Sequence, residues 1–170
     1  SVLVELAEYY DIEIRELLDG ERSRIMNKEM KETKYFTLYE LLHSETARSK
    51  GLDNTPSFDV VDNLNRLVTT ILDPVRAVMG VPIKVNSGYR SQAVNKAVGG
   101  VKDSQHIQGL AADIVCSDMK RLITVIKNNG KYDQLILEHC KGSTNYWVHV
   151  SIAPKGNKPR NQVISNLEKK

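Results

Sequence analysis

The chain has 170 residues, 41% of them hydrophobic and 26% charged, with a net charge of +3, enough for one domain with a proper core, short for two, and ordinary for a soluble globular protein. No apolar run is long enough to span a bilayer, the charge is too small to argue for nucleic acid by itself, and two cysteines, Cys116 and Cys140, make neither a disulfide framework nor a zinc-finger spacing, so both are expected as reduced thiols. The opening, SVLVELAEYYDIEIRELL, is acidic and lacks the basic-then-apolar order of a secretory signal, so the expectation is a protein that is cytoplasmic as made.

Residues 2–18 carry apolar side chains at Val2, Leu3, Leu6, Tyr9, Tyr10, Ile14, Leu17 and Leu18, with steps of three and four that fit one helical stripe or two short helices, stopped at Asp19-Gly20. Residues 21–34 are charged and poor in apolar side chains. The stretch LAEYYDIEIRELLDGER resembles the segment just after the helix-turn-helix in some bacterial transcription regulators, without a recognition helix or a basic patch. Residues 1–34 are therefore read as a helical extension or linker, with no nucleic-acid partner.

From Tyr35 a compact domain is expected, running to residue 153. Thr37 and Ser44 cap two short helices, the second ended by Gly51, and Ser57 caps the longest helical pattern. That pattern carries Val60, Val61, Leu64, Leu67, Val68, Ile71, Leu72, Val75 and Met79 on one broad apolar face, with a kink or break expected near Asp73 because Pro74 sits inside it. PIKVNS and AADIVC read as strands, SQAVNKAV as a short helix, and DMKRLITVIKNNG as a helix ended at Gly130. YDQLILE and NYWVHVSIA form a hairpin pattern around HCKGST. Residues 154–170 are polar and basic and are expected to be loose.

There are four histidines. His43, at a helix end, and His139, at a hairpin edge, carry no signal beyond surface residues. His106 and Asp113 lie in SQHIQGLAAD, where Gly109 frees the backbone and Ala111-Ala112 let the aspartate sit deep. A buried unpaired carboxylate is costly, and a cation would relieve that cost. His149, between Val148 and Val150, is placed by alternation on the face opposite those valines. A buried histidine and aspartate facing one another suit zinc, although spacing alone does not decide between a metal site and ordinary core and turn.

SGYRS, GG, SQHIQGLAADI and WVHVS, in that order, resemble the zinc D-Ala-D-Ala carboxypeptidase family, most closely its branch with phage endolysins. FTLYELLHSETARSKGLDNTPS and NLNRLVTTILDPVRAVMGVPIKV share the likeness, which runs from about Tyr35 to Ser151. The resemblance implies an α+β fold, a small antiparallel sheet with flanking helices as in hedgehog domains and D-Ala-D-Ala peptidases, and one Zn2+ per chain in a cleft on the sheet. Its metal ligands fall on His106, Asp113 and His149, which would leave a position for water. It implies hydrolysis of a peptidoglycan stem peptide at the cell wall, the alternative being a non-catalytic zinc-binding module of the same fold. Many relatives carry a general base three residues before the last histidine, where this chain has Tyr146; Glu138 is the candidate instead, against a solvated strand-end carboxylate, and ahead of Asp133. Arg90, otherwise an exposed charge on a turn, would engage the substrate. Ser104 would hydrogen-bond substrate or orient His106, and Gln105 and Trp147 would wall the pocket. Tyr89 reads as core.

Overall fold

The computed structural model describes residues 33–165; all but the last two residues of the expected N-terminal extension, and the last five residues of the chain, lie outside the described residues. The chain divides into two units after residue 32, and the second is the domain described below.

Three capped helices open the domain. Helix α1 (Leu38–Leu42) starts at Thr37, whose hydroxyl accepts from the Glu40 N–H while the Glu40 carboxylate takes the Thr37 N–H, a reciprocal capping box. Helix α2 (Glu45–Lys50) is capped by Ser44 and ends on Gly51 in the left-handed conformation. Helix α3 (Phe58–Leu67), capped by Ser57, runs on through a π turn at Val68–Leu72 into α4 (Asp73–Met79). Of the kink or break expected near Asp73, no break is present: the helix runs on, and its irregularity is the π turn that ends there. The π turn closes with the Asp73 N–H on the Val68 carbonyl. Proline has no N–H for the Thr70 carbonyl, and the Asn129 side chain donates to that oxygen instead, at 3.3 Å.

Strand β1 (Lys84–Ser87), helix α5 (Gln92–Ala97), a 3-10 turn at Gln105–Gln108, β2 (Ala111–Val115), α6 (Met119–Asn129), β3 (Gln134–His139) and β4 (Tyr146–Ser151) follow. The five-stranded sheet has the order β1-β2-β4-β3-β5, with β5 at Gln162–Ser165. Two expectations are corrected here. The sheet is mixed rather than antiparallel, because β5 runs parallel to β3. The segment from Pro154, read as a loose tail, contains that strand. After β4 the chain returns to the start of β3, so its next strand must run in the direction of β3.

What holds β5 in place is a buried charge. Asp133 is 2% exposed. Its carboxylate accepts from the Arg160 N–H at 3.0 Å and from the guanidinium at 2.6–3.1 Å, and the Asp133 carbonyl accepts from the Gln162 N–H. Asn161, the one described non-glycine residue with positive φ, turns the chain into β5 and donates to the Gly130 and Tyr132 carbonyls.

Alternation divides the sheet. Ala112, Ile114, Leu135, Val148 and Val150 point to one face and are 0–2% exposed; α6 packs against β4 there. Asp113, Glu138, Trp147 and His149 point to the other. Cys116 and Cys140 are free thiols, as expected. Among the described residues no helix is long and apolar enough to cross a membrane.

The clamp on β5 has a pH signature. Hydrogen bonds from Arg160 outweigh burial and hold the Asp133 carboxyl below its ordinary value. A depressed pKa adds stability that is fully present above the unfolded value of about 3.9 and is lost as pH falls through the folded value. The difference in urea midpoint between wild type and Asp133→Asn is therefore expected to be constant above about pH 5 and to shrink below about pH 4. A difference that grows on acidification would contradict this.

Candidate metal centre

The sheet register builds the site. Asp113 of β2 lies directly opposite His149 of β4 on the same face. His106 arrives from the 3-10 turn, where Ser104 accepts the His106 N–H at 3.3 Å and Gly109 closes the turn at φ +68°. A Cβ on Gly109 would also crowd the Val60 carbonyl at 2.8 Å, so the turn needs glycine both for conformation and for close approach.

Three donor atoms converge. His106 Nε2 lies 3.2 Å from Asp113 Oδ1 and 3.2 Å from His149 Nδ1, and His149 Nδ1 lies 3.1 Å from Asp113 Oδ1. The protonation of His106 follows from its other nitrogen. Nδ1 is 2.6 Å from the Gly88 carbonyl, which can only accept, so Nδ1 carries the proton and a neutral ring turns its lone pair at Nε2 toward the cluster. Burial pushes the Asp113 carboxyl up, but its contacts with the His106 and His149 rings outweigh that and hold the group far below the usual carboxylate range.

Two imidazole nitrogens and a carboxylate oxygen thus crowd around one point with too few protons to pair them all. Metal bonds of about 2.0–2.1 Å at tetrahedral angles hold donor atoms about 3.3 Å apart. The three observed edges match one face of such a tetrahedron. The donor set therefore fits a metal ion, and His106, Asp113 and His149 form the group that could hold one among the described residues.

The other expected residues fall around this group. Arg90, Ser104, Gln105, Glu138 and Trp147 all line one cleft of about 440 Å³ with the three donors, and Tyr146 and Asp133 do not. Tyr146 falls on the opposite face of β4 from His149, so the position where many relatives hold an acid is turned away from this cleft. Arg90 is half-buried; burial lowers its pKa, and the charges of Asp113 and Glu138 act against that, which marks the guanidinium as lying near both carboxylates. Tyr89 is 8% exposed, in the core. His43 pairs with Glu45, and the His139 ring lies tilted against Tyr146 with ring centres 5.5 Å apart.

Several positioning residues escaped the sequence reading. Asn54 donates to the Leu42 and Tyr89 carbonyls and accepts the Ser91 N–H at 2.7 Å, while the Tyr89 N–H reaches the Leu41 carbonyl and the Arg90 N–H the His106 carbonyl. These bonds pin the loop that carries Gly88 and Arg90. On the opposite rim, Asn95 donates to the Val101 carbonyl at 2.9 Å, and any side chain at Gly100 would collide with it. Of these, Gly88, inside SGYRS, and Gly100, inside GG, had a local signal.

With this geometry, comparison with known proteins is informative. The peptidase M15 family model matches residues 34–151, more than two thirds of the chain and nearly all of the described domain. No curated protein matches the chain.

Gly88 allows a test of the site that leaves every donor intact. A Cβ there would overlap the Leu41 carbonyl and backbone, forcing the Gly88 carbonyl off His106. Gly88→Ala is expected to lower metal affinity by about 10–100-fold, the usual cost of losing an outer partner of a histidine ligand. A chelator competition assay reads this directly, with His43→Ala as the unaffected control.

Proposed function

The chain belongs to the peptidase M15 family of metallopeptidases, and from that premise we propose that it is a zinc enzyme that hydrolyses peptidoglycan stem peptides, as a D,D-carboxypeptidase or endopeptidase acting at the cell wall. His106, Asp113 and His149 are the zinc ligands in this reading, one ion per chain. The observation that carries it is the convergence of these three donors in the same cleft as the Glu138 carboxylate and the Arg90 guanidinium. The resemblance to the branch with phage endolysins supports a wall substrate.

A zinc ion held there would supply a water of lowered pKa and polarise the scissile carbonyl. The protein's own groups do the rest. Glu138 Oε accepts the proton of the attacking water and delivers it to the nitrogen of the leaving amine. Glu138 pairs with Trp147 across the β3–β4 hairpin, two residues from His149 on the same face, which supports this role. Arg90 offers a planar two-pronged donor to a carbonyl or terminal carboxylate of the substrate. Ser104, Gln105 and Trp147 form the walls of the cleft.

Purified protein is expected to carry close to one zinc by elemental analysis, and to release defined muropeptide fragments from peptidoglycan, read by mass, only in the absence of chelator. Glu138→Gln should keep zinc and fold while losing about 10²–10⁴-fold in rate. Arg90→Lys should weaken substrate binding as well as turnover. A zinc-loaded protein that cuts no stem peptide would instead be the non-catalytic module.

A further inference from the structure

One wall of the cleft is oriented from behind. The Gln105 side chain donates through Nε2 to Asp133 Oδ2 at 2.9 Å. Asp133 is held by Arg160, depressed in pKa, and as a carboxylate can only accept. The amide of Gln105 therefore cannot flip: its nitrogen must face Asp133, and its oxygen must face away. That oxygen, Oε1, is buried and has no hydrogen-bond partner. In the same cleft, Trp147 Nε1 and Arg90 Nε are also buried without partners, and both are donors. Buried polar atoms left unpaired are costly, and a ligand that pairs them recovers that cost. A peptide amide that presses into this wall offers what the set lacks, an N–H for the Gln105 oxygen and a carbonyl for one of the two donors.

We propose that Gln105 is a specificity-determining residue that accepts a hydrogen bond from one backbone N–H of the bound peptide, and that Asp133, clamped by Arg160, is the positioning residue that fixes its direction. The inference rests on the peptide reading of the site given above and adds which chain atom reads the peptide backbone. It also gives Asp133 a role that is not proton transfer. The carboxylate sits behind the wall, where it sets hydrogen-bond polarity through an amide.

The test uses the full-length, zinc-loaded protein and a synthetic stem pentapeptide, together with analogues in which each amide in turn is replaced by an ester. Each ester removes one N–H and little else. In wild type, one analogue is expected to bind about 10-fold more weakly than the amide, the worth of one ordinary hydrogen bond. In Gln105→Met, which keeps the length and removes the acceptor, that penalty should vanish while the penalties of the other esters stay. Asp133→Asn offers the amide either polarity and should reduce the same penalty in part, with zinc content unchanged. If Gln105→Met loses metal, Asp133→Asn carries the same comparison with Gln105 in place. A second readout needs no ligand: the side-chain amide protons of Gln105 should exchange slowly in wild type and faster in Asp133→Asn. Ester penalties identical in wild type and both variants would overturn the proposal and leave Gln105 as a wall residue that reads no peptide N–H. Failure of wild type to bind any stem peptide would sink the peptidoglycan reading first, and this proposal with it.

Discussion

The site depends on one register. Asp113 lies opposite His149 because β2 and β4 pair antiparallel with Ala112 against Val150 and Ile114 against Val148. A slip of one residue would carry His149 to the helix side and a valine into the cleft. What forbids the slip is the back of the sheet, where these apolar residues are all fully buried. Burying the two valines and the isoleucine is worth roughly 1.5–3 kcal/mol each, so the core on one face enforces the position of polar donors on the other. Two of the three donors owe their placement to hydrophobic packing they take no part in.

The third donor is held differently. His106 stands on a short turn rather than on the sheet, so its aim depends on hydrogen bonds. The Gly88 carbonyl fixes its tautomer, the Ser104 hydroxyl its turn, and the Arg90 N–H its carbonyl. The loop that supplies Gly88 and Arg90 is in turn fastened to α1 and to Asn54. Glycine at 88 lets that loop lie directly against the Leu41 backbone. The metal group and the guanidinium thus share one scaffold, and a disturbance of the Leu41 contact reaches both.

How much of this was legible follows from the range of the forces. Capped helices and alternating strands are local, and Thr37, Ser44, Ser57 and Gly130 marked helix ends where the structure has them. The three donors and Arg90 stand inside ordered motifs and Glu138 at the end of a hairpin strand, and the structure brings all five to one cleft. The misses are non-local. Pro74 signalled a kink or break, but the donor that lets the helix run on, Asn129, comes from another helix 59 residues from Thr70. Strand β5 carries only Val163 and Ile164 as apolar residues in a basic stretch, and the ion pair that fastens its approach spans 27 residues. Nothing in NKPRNQVIS announces a strand, because the partner that makes it one is Asp133.

Three acids show why a buried carboxylate is not by itself a catalyst. Asp113 and Asp133 are both largely buried and both depressed in pKa, the pattern often taken to mark function. Their partners separate them. Asp133 meets a guanidinium, a backbone N–H and an amide, all donors, so its lone pairs are committed and a proton has no place there. Asp113 meets two imidazole nitrogens whose protons cannot satisfy all three groups, which leaves it able to share a cation. Glu138 differs from both: no described residue hydrogen-bonds or ion-pairs with its carboxylate, although it lines the cleft within the field of Arg90. A group that must take a proton and give it back needs an oxygen not already engaged. Of the three acids, only Glu138 keeps one open on the side where a substrate would lie.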